Sequence, residues 1–259
     1  MQIQSVIDYL NEIYPLNLQE HYDNAGHKVG DASQDLSGIL VTLDVTNEVI
    51  DEAIELGFNL IVSHHPMIFG DLKSLVPSNE QTRMLNRLIK NDICVYSAHT
   101  NLDNLNRGVS HILAQKLGLS DIMTLSENDD NHNGGGALGE LPSPLACSEF
   151  INRVKDTLGL PFLKCSKNLP PQIKRVAVCG GSGSFLIDEA ADRKADIYLT
   201  ADIKYHDYQK AVGRISVADI GHYESEQFAQ ELIYNDIIKK FSNFACRITR
   251  VKTSYIDHK

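Results

Sequence analysis

The sequence predicts an α/β protein of two lobes with mainly parallel or mixed sheets. Two features predict it. Short apolar runs of strand length alternate with helix-length amphipathic segments in both halves of the chain. One polar, glycine-ended stretch, SENDDNHNGGG at 126–136, interrupts that alternation near the middle and marks a domain boundary or an exposed loop. The lobes are therefore expected at 1–128 and 129–259, with the last helix or strand free to cross back to the first lobe.

The elements follow in order. Ile3, Val6, Ile7, Leu10 and Ile13 recur at helical spacing, so the first segment reads as an amphipathic helix. It has neither the basic start nor the apolar run of a secretory signal. GILVTLDV (38–45) is a strand. TNEVIDEAIELG (46–57) is a helix capped by Thr46 and stopped by Gly57. NLIVSHHP (59–66) is a buried strand, residues 79–91 are helical, ICVYSAHT (93–100) is a strand, and 107–119 is a helix. In the second half, 144–159, 184–194 and 224–241 read as helices. The segments 174–181, 195–202, 214–222 and 246–255 read as strands.

Bulk properties narrow the function. The chain has 259 residues, 42% hydrophobic and 22% charged, enough to bury a core without staples. Its net charge of −10 gives no general attraction for nucleic-acid backbones. No apolar run is long enough to span a bilayer, so no membrane role is expected. Five cysteines with wide spacings and no CxxC argue against a disulfide framework or a thiolate zinc site, and fit a reducing cytoplasm.

Three patterns carry chemistry. SHHP places His64 and His65 at the carboxyl end of a strand. HTNLD places Asp103 just past the next strand. GHYESE places His222 and Glu226 where a strand gives way to a helix. Ligand sites in open α/β sheets gather beyond the carboxyl ends of strands. Adjacent histidines on a strand normally diverge, but at an end turned by Pro66 both can face one cavity. His222 and Glu226 are four residues apart, which stacks them on one helical face. Imidazole and carboxylate together suit zinc, iron, manganese or nickel. Five ligands exceed what one catalytic zinc takes, so a shared carboxylate holding two divalent ions is expected. Glu226 is the first candidate for the bridge and Asp103 the alternative. The competing reading is that each histidine is a satisfied polar residue of the core.

The chain resembles the GTP cyclohydrolase 1 type 2 homologue family. The motifs that carry the likeness are YDNAGHKVGD (22–31), VTLDVT (41–46), IVSHHPMIFG (61–70), VYSAHTNLD (95–103), TADIKYHDYQ (200–209) and DIGHYESE (219–226). The resemblance implies a dinuclear metal site in the cleft between two lobes, with ligands at His64, His65, Asp103, His222 and Glu226. It also implies a ring-shaped homohexamer and a nucleotide or related heterocycle as the small-molecule substrate. The family pattern is altered at Tyr22, at Ala201, and in GGGALGEL (134–141), which lacks an arginine. The short loop at 126–136 matches the compact form of the family.

His99 and His206 are candidate general acids or bases, since imidazole titrates near neutral pH, and Asp202 is a further candidate to face the cavity. Orientation of a metal ligand is the other role open to them. Asp23 and Asn24 would shape the cavity or cap a helix. CGGSGS (179–184) can cradle a phosphate or allow close strand-to-helix packing. His21, His27, His111, His132 and His258 have no role. The functional expectation is a metal-dependent hydrolase. A metal storage or delivery protein and a metal-stabilised scaffold are the alternatives.

Overall fold

Along the first hundred residues, strands and helices form where apolar periodicity and capping residues coincide. The computed structural model describes residues 1–257; His258, which the sequence leaves without a role, lies outside them. Helix α1 (Ile3–Ile13) buries Ile3, Val6, Ile7 and Leu10, with Ile13 half-buried. Strand β1 (Gly26–Val29) was not legible in the sequence. It is followed by β2 (Ile39–Thr42) and α2 (Asn47–Leu56). The Thr46 side chain accepts the Val49 N–H at the start of α2, and Gly57 at φ 68° closes it. Then come β3 (Leu60–Ser63), α3 (Glu80–Lys90), β4 (Cys94–Ser97) and the single turn α4 (Thr100–Asp103). Asn79 and Thr82 cap α3 reciprocally.

The next stretch holds α5 (Val109–Lys116), β5 (Ser120–Glu127), β6 (Gly134–Ala146), α6 (Cys147–Leu158), β7 (Lys164–Cys165) and β8 (Gln172–Ser182). It continues through α7 (Ile187–Asp192), β9 (Ile197–Ala201), α8 (Tyr205–Ala211), β10 (Ser216–Asp219) and α9 (His222–Glu226). The chain ends with α10 (Ala229–Lys240) and β11 (Cys246–Ile248).

These elements divide into two units: residues 1–102 with 229–257, and residues 103–228. The first unit carries a five-stranded sheet in the order β1-β4-β3-β2-β11. Strands β11, β2, β3 and β4 run parallel and β1 is antiparallel at the edge. The second unit carries a six-stranded sheet in the order β5-β6-β8-β9-β10-β7. Only β8, β9 and β10 are mutually parallel there. Along β8, Val176 and Val178 join one apolar cluster, while Ala177 and Cys179 join another. Both faces of the central strands are thus covered, as parallel strands require.

Four expectations are corrected. The division falls at 102/103 and 228/229 rather than at 128/129, so Asp103 belongs to the second unit. The segment 126–136 is the end of a hairpin, with Ser126 paired to Gly135 and Glu127 to Gly134. It is polar because its tip is solvated, not because domains part there. The helix expected over 224–241 is broken into α9 and α10 at the point where the chain leaves the second unit. The last strand stops at Ile248: the Thr249 N–H still reaches the Val41 carbonyl, but the Thr249 hydroxyl and the Arg250 N–H turn to the buried Glu52 carboxylate.

Candidate metal centre

In the first unit, strand register assembles the site. Thr42 is level with Ser63, and Ser63 with Ser97. Two residues beyond those paired positions stand Asp44, His65 and His99, just past the carboxyl ends of three parallel strands. The ladder itself continues past β3: His64 N–H donates to the Thr42 carbonyl and His65 N–H to that of Leu43. The backbone beneath both histidines is therefore fixed.

Their rings form a cluster with that of His99. Centroids lie 4.9 Å apart for His64 and His65, 5.4 Å for His64 and His99, and 5.6 Å for His65 and His99. Each ring is anchored through Nδ1. His64 Nδ1 donates to the Ala98 carbonyl at 2.7 Å. His65 Nδ1 meets Asp44 Oδ1 at 2.7 Å, and His99 Nδ1 meets Asp23 Oδ1 at 2.7 Å. A carbonyl or carboxylate can only accept, so Nδ1 carries the proton and Nε2 the lone pair in the neutral ring. That tautomer is the one a metal-ligating histidine adopts when a neighbouring oxygen orients it.

Asp23 is held as a carboxylate. Burial alone would raise its pKa. Hydrogen bonds from His99 and Thr100, the electrostatic pull of the His99 ring and the Asn24 N–H outweigh burial and lower it to about 2.

In the second unit, β8, β9 and β10 bring their carboxyl ends together, and Ser182, Asp202 and His222 meet there. His222 Nδ1 lies 2.7 Å from Asp202 Oδ2, which also accepts the Ser182 hydroxyl. Asp202 sits at φ 55°, an uncommon conformation for a residue with a side chain. Burial opposes its charge, but the bonds from Ser182 and His222 prevail and lower its pKa below the usual carboxylate value. On the other side of the ring, His222 Nε2 lies 3.1 Å from Glu226 Oε2. The four-residue helical spacing produces that approach.

The glycines of CGGSGS make room for this carboxylate. Gly181 has φ 63°, and a side-chain carbon added there would collide with Glu226 Oε1. A carbon on Gly180 would press on Val109 and come within 3.4 Å of Glu226 Cγ. Close packing of a carboxylate, rather than a phosphate cradle, accounts for the motif. Asp103 and Glu226 both lie near enough to Cys179 to oppose its ionisation. Together with burial, the larger cause, they push that thiol up to about 12.

The donor set fits a divalent cation. Two ligands about 2.0–2.1 Å from one ion and at a right angle are separated by about 3 Å, and His222 Nε2 and Glu226 Oε2 have that separation. A proton shared between them would satisfy the same distance. Three of the expected ligand histidines, His64, His65 and His222, have Nδ1 fixed on an oxygen. His206 is placed differently. It is exposed on α8, its Nδ1 lies 3.2 Å from Gln209 Oε1, and its ring stacks edge-on with Tyr205. Asp202, not His206, is the residue of that segment that touches an expected ligand.

Asp44 was missed from the sequence. It stands in the VTLDVT run at the carboxyl end of a strand, the position that singled out the histidines. Without the register, nothing pairs it with His65.

A family model, Duf34/NIF3 (NGG1p interacting factor 3), matches residues 1–255. A protein of Clostridium perfringens named GTP cyclohydrolase 1 type 2 homolog is 37% identical over 230 residues, covering 87% of this chain and 87% of its own. A protein of the same name from Lactococcus lactis is 35% identical over 233 residues, 88% of each chain. Among solved structures, a hypothetical protein of Staphylococcus aureus superposes with a TM-score of 0.93 at 27% identity, covering 100% of this chain and 99% of that one.

Proposed function

The chain belongs to the Duf34/NIF3 family, and from that premise we propose that it binds a pair of divalent metal ions and acts as a hydrolase on a nucleotide or related heterocycle. The ligands in this reading are His64, His65, Asp103, His222 and Glu226. The observation that carries it is the shared anchoring of His64, His65 and His222, each with Nδ1 on an oxygen, the orientation that a neighbouring oxygen gives a metal-ligating histidine. The substrate class comes from the relatives' name, GTP cyclohydrolase 1 type 2 homolog.

Ions bound there would acidify a water and polarise the substrate. The chain's own groups divide the remaining work. His64, His65 and His222 present neutral imidazoles. Glu226 or Asp103 supplies the shared carboxylate. His99, next to both first-unit ligands, takes or gives a proton at Nε2, while ionised Asp23 keeps the Nδ1 proton in place. His206, exposed beside Tyr205, is the second candidate for proton transfer.

We also propose that the protein is a ring-shaped homohexamer and works in the reducing cytoplasm. Light scattering on a sizing column tests the first, with a mass six times 28.8 kDa expected. All five cysteines are unbridged, which agrees with the second, and no helix of the described residues is long and apolar enough to cross a membrane.

The deciding experiment is elemental analysis of protein purified without added metal, paired with a panel of nucleotides and phosphoesters. About two divalent ions per chain are expected, falling in His65→Ala and in Glu226→Ala alike. Protein that takes up no stoichiometric metal ends the reading. Tightly bound metal with no turnover across the panel, and release to an acceptor, would make it a metal carrier instead.

A further inference from the structure

The segment after β11 reaches the first-unit ligands. Strand β11 pairs in parallel with β2, Ile248 level with Val41, so the chain leaves β11 at the same end at which β2 leads to Asp44. Thr249 N–H donates to the Val41 carbonyl at 2.8 Å, and Thr249 and Arg250 bond to buried Glu52. Held there, the segment places Thr253 beside Asp44. Thr253 Oγ1 donates to Asp44 Oδ2 at 2.8 Å, and Asp44 Oδ1 holds His65 Nδ1 at 2.7 Å. Thr253 is 4% exposed, so bulk water does not readily replace its hydroxyl.

We propose that Thr253 is a positioning residue that fixes the tautomer and orientation of His65 through Asp44; its consequence for metal rests on the function proposed above. A carboxylate held at one oxygen can swing about its last torsion. One held at both presents a fixed acceptor. Two other histidines rest on a carboxylate that a hydroxyl also meets, at both oxygens in Asp23 and at the single oxygen Oδ2 in Asp202. Thr100 Oγ1 donates to Asp23, which holds His99, and Ser182 Oγ donates to Asp202, which holds His222. Among the described residues, the hydroxyl–carboxylate–imidazole unit therefore recurs at His65, His99 and His222. Only at His65 does its hydroxyl come from a residue more than 180 positions away in sequence, which makes that arm removable without touching the strands that carry the histidines.

The test uses the full chain and cobalt(II) alone as the probe. Thr253→Val keeps the shape and loses the donor, whereas Thr253→Ser keeps the donor. Arg250→Ala removes the guanidinium's contacts to Glu52 and Glu55, keeps the backbone N–H bond to Glu52, and leaves Thr253 intact. Thr253→Val is expected to weaken cobalt(II) about tenfold and to alter its absorption bands, as loss of support to a ligand does. Thr253→Ser and Arg250→Ala are expected to stay within about twofold of the parent protein. In an Asp44→Ala background, Thr253→Val should have no further effect. Parent-like binding by Thr253→Val, an equal loss in Arg250→Ala, or additivity with Asp44→Ala would overturn the proposal.

A second readout needs no metal. Nitrogen-15 spectra of histidine in metal-free protein should show His65 with its proton on Nδ1 in the parent and in Thr253→Ser, and a mixed tautomer in Thr253→Val. Should the parent take up no cobalt while the tautomer still responds, the metal reading fails and the positioning role stands. An unresponsive tautomer removes the positioning role.

Discussion

Asp44 Oδ1 lies 2.7 Å from His65 Nδ1 because their strands run parallel in a register that pairs Thr42 with Ser63, two positions before each. The pair is a product of topology. Replacing Asp44 by Ala leaves His65 on its strand but releases its ring. Metal affinity should fall about 10–100-fold, measured by competition with a chelating dye. Retention of parent affinity would show that the ring needs no such support.

Gly181 offers a test in the second unit. Alanine there is strained by φ 63° and pushes against Glu226. Gly181→Ala should cost about 1–3 kcal/mol in urea denaturation and reduce metal content along with stability. A surface glycine such as Gly213, with open space around it, should lose only the backbone share.

The low pKa of Asp23 makes a pH prediction. Its carboxylate sits near 2 in the folded protein against an ordinary 3.8. A depressed acid contributes stability that is fully present above the unfolded value and is lost as pH falls through the folded one. The stability difference between the parent and Asp23→Asn should therefore be flat above about pH 5 and shrink between about pH 4 and 2. A difference that stays constant down to pH 2 would mean that the His99 and Thr100 bonds do not depend on the charge.

The cysteines should be inert. Burial pushes Cys94 and Cys165 up to about 11 and Cys246 up to about 12, and raises Cys147 as well. Since the thiolate is the reactive form, native protein at pH 8 should be alkylated slowly at all five positions and rapidly once denatured. One thiol reacting at the rate of free cysteine would contradict this.

His99 and His206 should separate cleanly. His206→Ala removes an exposed ring and should change stability by less than about 0.5 kcal/mol and leave metal content intact. His99→Ala empties a place among three packed imidazoles and removes the partner of Asp23. It should lower the melting temperature, and any hydrolytic turnover, while metal remains bound. If His206→Ala alone abolished turnover, the proton-transfer assignment would move to α8.

Much of this was legible in the residues. The parallel β2, β3 and β4 were visible as apolar runs, and the Thr46 cap and Gly57 stop bounded α2. The places of His64, His65 and His222 just past strand ends, and of Glu226 one helical turn after His222, were legible. Other features were not, for physical reasons. Strand β1 is buried only at its two ends and so offers no apolar run, unlike β2, β3 and β4, which are of equal length and buried throughout. The hairpin of β5 and β6 hides in polar and glycine-rich sequence, since β5 lies at the sheet edge and much of it faces solvent. The contacts of Asp44 and Thr253 depend on register and on chain return, which composition does not encode.

Strand β11 has a consequence for biosynthesis. The sheet of the first unit is completed by residues made after the whole of 103–228. On the ribosome, the later-starting unit has all its strands in hand first, while β2 still presents an unpaired edge. The older half of the polypeptide is thus the last to close, and a chain released short of Cys246 would expose that edge to its neighbours.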